Sequence, residues 1–167
     1  VSTDTANSKQ AVDNNTDRSS TSTRKNAKLS LEKQGVKVNQ IGQKIQIIIP
    51  EAYLFEPASA NLVPASESIL KDLSEFVNTY QIEKIEVAAY VDSIIGNGIS
   101  QDKNAKSLTT AQADAVSSFL WANGVDVRYI YGRGYGGSDP VAPNSTSEGR
   151  NMNKRITVNF EYIAGDN

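Results

Sequence analysis

The chain has 167 residues, a formal net charge of −2, and neither histidine nor cysteine. Without histidine it lacks the commonest general base near neutral pH and the commonest transition-metal ligand, and without cysteine it has no thiolate nucleophile, disulfide framework or Cys-ligated zinc. A Ser-His-Asp triad is therefore excluded, and the slightly acidic balance gives non-specific nucleic-acid binding no electrostatic support.

Residues 1–27 read as a disordered polar tail, rich in Ser, Thr, Asn and Asp and without apolar periodicity. One folded domain is expected over residues 28–167. No apolar run reaches the length of a bilayer span. Leu29 and Leu31 open a short helix that should stop at Gly35. Val36 and Val38 alternate with Lys37 and Asn39, and Ile45, Ile47 and Ile49 with Gln46 and Ile48, on either side of Gly42, which predicts a hairpin. Pro50 has no N–H for the ladder and closes its second strand. Residues 54–62 form a loop with apolar plugs. Pro64 then sits near the first turn of a helix, on which Ile69, Leu70, Leu73, Phe76, Val77 and Tyr80 share one face.

Ile85 to Ala89 is almost wholly apolar after Glu86 and reads as a central strand. A polar loop with Gly96 and Gly98 is expected from Asp92 to Lys106. Thr109 and Gln112 have the spacing of a capping box, so a second helix is predicted to start there. Leu108, Ala115, Val116, Phe119 and Leu120 would form its buried stripe, and Asn123-Gly124 its end, with Val125 over the last turn. Tyr129 to Tyr131 is the next strand, followed by a glycine-rich turn, Gly132 to Gly137, and a loop with Pro140 and Pro143. Ile156, Val158, Phe160 and Tyr162 alternate along a half-buried last strand. This order predicts an α/β (α+β) fold, a two-layer sandwich with helices on one face of a mixed β-sheet.

Candidate chemistry is sparse. Gly132-x-Gly134-x-x-Gly137 matches the dinucleotide fingerprint, but Ser138-Asp139-Pro140 follows where that fingerprint requires a helix start; a tight turn fits better. Asp92 heads a polar loop after a buried strand and fits two roles: a carboxylate that binds loop N–H groups, or an anion that faces an amine ligand. Asn104 can offer its amide to a ligand or brace the loop. Arg150 and Arg155 flank the last strand; either can grip a carboxylate bidentately or pin the loop through acidic neighbours such as Asp139 and Glu148. No carboxylate pair is spaced for general acid–base work. Neither catalysis nor a cofactor nor a metal is expected.

Several short motifs occur in order. Leu54-Phe55 with Ser59-Ala60 and Leu62 comes first, then Ala89-Tyr90-Val91-Asp92 with Gly96. Asn104, Leu108-Thr109 and Ala113 follow. Arg128, Gly132, Gly134, Pro140, Asn144 and Thr146 lead to Gly149-Arg150 and Asn153-Lys154-Arg155. Together they resemble the OmpA-like C-terminal domain, the peptidoglycan-associated module of bacterial envelopes, over roughly residues 44–163. The resemblance implies a βαβαβ core with an N-terminal hairpin and a shallow pocket for diaminopimelate of the peptidoglycan stem peptide. In the family an aspartate meets the amine, and Asp92 matches it. An arginine on the second helix meets the carboxylate, and here that position is Gln112. The candidate peptidoglycan site is thus Asp92, Asn104, Gln112, Arg150 and Arg155. A charged hydrogen bond contributes about 1.5–3 kcal/mol and a neutral one about 0.5–1.5, so Gln112 implies roughly tenfold weaker binding. A polar tail before such a domain is similar to the linker of an outer-membrane lipoprotein. The resemblance therefore implies a scaffold at the periplasmic face of the outer membrane, tethered by an upstream lipid. Its partners would be subunits of an outer-membrane complex, as for the OmpA-like lipoproteins of type IV secretion machines, and peptidoglycan.

Overall fold

The computed structural model describes residues 21–92, 99–125 and 128–164. The expected tail over residues 1–20 and the family position Gly96 lie outside them. Helix α1 (21–33) packs onto α3 (Ser66–Asn78). Strands β1 (Lys37–Ile41) and β2 (Lys44–Pro50) form the hairpin. The short α2 (Glu51–Leu54), β3 (Ile82–Tyr90), α4 (Ile99–Ala122), β4 (Tyr129–Gly134), α5 (Ser147–Asn153) and β5 (Arg155–Tyr162) complete the chain. The sheet order is β1-β2-β5-β3-β4. Only β3 and β4 run parallel, joined by α4; the other pairs are antiparallel. The expected helix-on-mixed-sheet sandwich is the fold.

Strand alternation sorts the two faces. Ile45, Ile47 and Ile49 of β2, Ile85, Val87 and Ala89 of β3, and Ile156, Val158 and Phe160 of β5 point into the core. Leu70, Leu73, Phe76 and Val77 of α3 and Val116 and Leu120 of α4 meet them from the helical layer. Residues of β5 between these, Arg155, Thr157 and Asn159, lie on the opposite face. The two predicted helix stops share one geometry. Val36 N–H bonds the Leu31 carbonyl and Gly35 N–H that of Glu32; Val125 and Gly124 bond Leu120 and Trp121 in the same way. Both glycines are left-handed, at φ +91° and +83°, which completes a Schellman motif each time.

Four expectations need correction. The tail boundary at residue 27 falls inside α1: Arg24 bonds Thr79 and lies 3.8 Å over the Tyr80 ring, and Ala27 is buried. A short helix that the sequence does not announce, α2 (Glu51–Leu54), precedes the loop of residues 54–62, which a bridge from Phe55 to Leu62 closes. Residues 147–153, expected as loop and strand approach, form α5, capped by the Thr146 hydroxyl accepting from Gly149 N–H. The capping box is absent, because α4 is already helical at Ile99. Thr109 is mid-helix and its hydroxyl donates back to the Ala105 carbonyl. The buried stripe is accordingly turned. Thr109, Gln112, Ala113, Val116 and Leu120 are buried, while Leu108, Ala115 and Phe119 are only partly so.

The first half of the glycine-rich turn is likewise strand. Gly132 and Gly134 belong to β4, where α4 lies directly on the backbone. A Cβ on Gly134 would overlap the Thr110 backbone nitrogen and lie 2.6 Å from Thr109 Oγ1; one on Gly132 would lie 2.7 Å from the Asp114 carboxylate. The first obstacle is backbone, the second the tip of an exposed side chain. Gly134→Ala should therefore cost roughly 2–4 kcal/mol and Gly132→Ala clearly less, as read by urea unfolding of the two variants beside the parent.

Candidate functional site

The candidate site lies where β3 ends over α4. The Tyr135 N–H bonds the Ala89 carbonyl, the Val91 N–H bonds the Gly136 carbonyl, and Gly136 N–H bonds the Thr109 hydroxyl at 3.0 Å. These bonds fix the end of β3, the turn after β4 and the middle of α4 against one another. Gly136 is left-handed at φ +60°, which the turn requires. Asp92 leaves this junction with only 7% of its surface exposed.

Gln112 stands on α4 and is wholly buried. Its amide nitrogen donates to Glu51 Oε1 at 3.2 Å and to the Ser59 carbonyl at 3.0 Å. Glu51 is the first residue of α2, and its N–H bonds the Lys154 carbonyl at the entry to β5. One amide thus joins α4, α2 and the loop before Leu62. Burial pushes the Glu51 carboxyl above its ordinary value of 4.5; the nearby Asp92 charge adds to this, while the Gln112 bond and the Lys154 charge oppose it. Glu51 Oε2 and Gln112 Oε1 are buried without a hydrogen-bond partner. Each such orphan costs about 1–3 kcal/mol, and in native proteins such atoms are uncommon enough to require a reason.

The sequence candidates divide accordingly. Asp92 and Gln112 are both buried, and both act on Glu51. Asn104 lies on α4, exposed, and not in a loop. Arg150 is turned onto its own segment, donating to the Asn144 carbonyl and the Ser147 hydroxyl, both at 3.1 Å. Arg155 is on the sheet face away from α4. It lies 3.9 Å over the Tyr90 ring and donates to the carbonyls of Asn153 and Asp139. Both arginines pin the loop, through carbonyl oxygens and not through the carboxylates of Asp139 and Glu148. Burial lowers the Arg155 guanidinium from its ordinary range, offset by Tyr90 and Asp139. Sequence reasoning missed Glu51 and Lys154. The signal for Glu51 was an acidic residue directly after a strand-ending proline, at the mouth of the apolar loop. Among the described residues, no cluster of acidic side chains could hold a metal ion.

Residues 54–154 match the OmpA family, and the chain belongs to it. It is 32% identical over 129 residues to the probable lipoprotein YiaD of Escherichia coli, a match that covers 77% of this chain and 57% of YiaD. The chain thus spans little more than half of that relative. Among solved structures, a putative MotB-like protein from Desulfovibrio vulgaris superposes with a TM-score of 0.72 at 18% identity, over 87% of this chain and 96% of that one. The cell wall anchor of the T6SS from Pseudomonas aeruginosa superposes with a TM-score of 0.67 at 23% identity, over 80% and 92%. At these identities the likeness is one of fold.

The loop that Arg150 and Arg155 brace closes on Asn153, which is wholly buried. Its Oδ1 accepts from the N–H groups of Val141 and Ala142, and its Nδ2 donates to the Ala142 carbonyl and Asn144 Oδ1. Asn153→Ala would orphan buried groups on both sides and should cost about 2–4 kcal/mol. Asn153→Asp should also destabilise, because two acceptors would then face a carboxylate oxygen. Chemical denaturation of both variants checks this.

Proposed function

We propose that this domain is a non-catalytic envelope module that holds an outer-membrane assembly in place at the periplasmic face and touches peptidoglycan weakly, from one side. One observation carries the reading. At the position where the family places a carboxylate-binding arginine, Gln112 is buried and spends both amide hydrogens inside the protein, on Glu51 and Ser59. Asp92 remains to meet the amine of a diaminopimelate residue. Arg150 and Arg155, the two cations that might have compensated, are committed elsewhere. Lys154 is the basic side chain whose charge acts on Glu51. A zwitterionic head is thus offered an anion at one end and no arginine at the other.

The kinship with a probable lipoprotein supports a binding role. Among the described residues no helix is long and apolar enough to cross a membrane; the kinship with a probable lipoprotein is what favours attachment through an upstream lipid. On the resemblance drawn from the sequence alone, a type IV secretion core complex is the assembly we propose. Co-purification of the tagged protein from detergent-solubilised membranes tests that assignment; recovery of a flagellar or porin complex would replace it.

Wall contact is tested by titrating the domain with a diaminopimelate-containing muropeptide. The parent should bind weakly, and Asp92→Ala should abolish what binding there is. Gln112→Arg should strengthen binding about tenfold, the difference between a charged and a neutral bond. Tight binding by the parent that survives Asp92→Ala would defeat the one-sided reading.

A further inference from the structure

The two buried oxygens without partners belong to one pair. Gln112 Nε2 donates to Glu51 Oε1, and the atoms left over are the second oxygen of that carboxyl and the oxygen of that amide. Both hydrogens of the amide nitrogen are used, one on Glu51 and one on Ser59. With Glu51 ionised, both leftover atoms are acceptors, and no donor serves either. One proton on Glu51 Oε2 changes that, because it turns one orphan acceptor into a donor that the other can accept. A carboxylic acid and a primary amide joined in this way bond in a ring: N–H to carboxyl oxygen on one side, O–H to amide oxygen on the other.

We propose that Glu51 is a positioning residue of the Asp92 site that works as a neutral acid, sharing its proton with Gln112 and so sealing the half of the site where the family carries an arginine. The groups that face Glu51 fit this role. Gln112 reaches it from α4, Lys154 from the start of β5 and Asp92 from the end of β3. Burial is the largest influence and disfavours the ionised form, and Asp92 adds to it, against the Gln112 N–H bond and the Lys154 charge, which favour that form. With the proton in place, α2 is held to α4 by two hydrogen bonds in place of one.

The linkage has a definite sign. Folding raises the affinity of Glu51 for its proton above the ordinary 4.5. The stabilisation is therefore complete below the unfolded value and is lost as pH rises through the folded one. This is opposite to the usual behaviour of a paired carboxylate.

Two measurements on the intact domain test the proposal, and neither needs a ligand, so the result stands apart from the peptidoglycan reading. The first follows the side-chain carbonyl carbons by NMR against pH. The Glu51 resonance should titrate with a midpoint above 4.5, and the Gln112 amide carbon and nitrogen should move with the same midpoint. Titration of Glu51 at or below that value overturns the proposal. So does a raised midpoint with Gln112 resonances that do not follow it, which would leave burial alone as the cause. The second compares Glu51→Gln with Glu51→Ala in denaturation across the same pH range. Glu51→Gln carries a permanent N–H donor where the acid carries its proton. It should keep the fold, match the parent in acid, exceed it in alkali and flatten the alkaline loss of stability. Glu51→Ala should be less stable than the parent in acid. A Glu51→Gln variant that unfolds, or that keeps the parent's slope, overturns the proposal.

Discussion

Helix α4 can lie directly on the backbone of β4 because Gly132 and Gly134 present no side chain to it, and the positions of the candidate residues follow from that contact. The helix descends far enough for the Thr109 hydroxyl to accept from Gly136 N–H at 3.0 Å. That bond fixes the turn after β4, whose carbonyl in turn takes the Val91 N–H, so Asp92 leaves β3 at a fixed angle over the helix. The same close approach carries Gln112 inward until it meets α2. A larger residue at position 134 would lift the helix and separate all three groups at once.

The parts of this arrangement that sequence reasoning reaches are those written in local periodicity. The β2 and β5 alternations, the α3 stripe and both Schellman glycines are each fixed within about two turns or one strand, and each is found as expected. The errors come from non-local causes. Thr109 and Gln112 have cap spacing, and nothing within the segment reveals that the helix has already begun upstream. Their burial is set by β4 and α2, which are distant in sequence. Gly132 and Gly134 read as a turn because glycine normally marks one; here they mark a close approach of helix to strand. Gly136 is the member of that run with the left-handed backbone of a turn.

For the candidate site, the motif order leads to Asp92 and Gln112, which lie buried beside Glu51, and to Arg150 and Arg155, for which it leaves open a ligand carboxylate or the acidic side chains of the loop. A guanidinium near a loop with Asp139 and Glu148 suggests ion pairs. In the structure the arginines take carbonyl oxygens, and Arg155 adds a ring. The loop carries Pro140 and Pro143 and has no ladder of its own, so its carbonyls need donors from elsewhere. Arginine meets that need with several N–H groups in a fixed fork, and Asn153 meets the rest from within.

The exchange of arginine for glutamine at position 112 is coherent with Glu51. A guanidinium there would face a buried carboxylate, and the resulting ion pair must recover the desolvation of both charges before it stabilises anything. An amide facing a carboxyl that holds its proton avoids most of that cost, since neither partner is charged. On the proposed reading, what is given up is the arginine's charge at the site, and what is gained is a rigid, neutral joint between α2 and α4. On this reasoning, Glu51 and Gln112 are one adaptation and not two, and truncation of either alone to an apolar side chain leaves the other with a buried polar group that has nothing to bind.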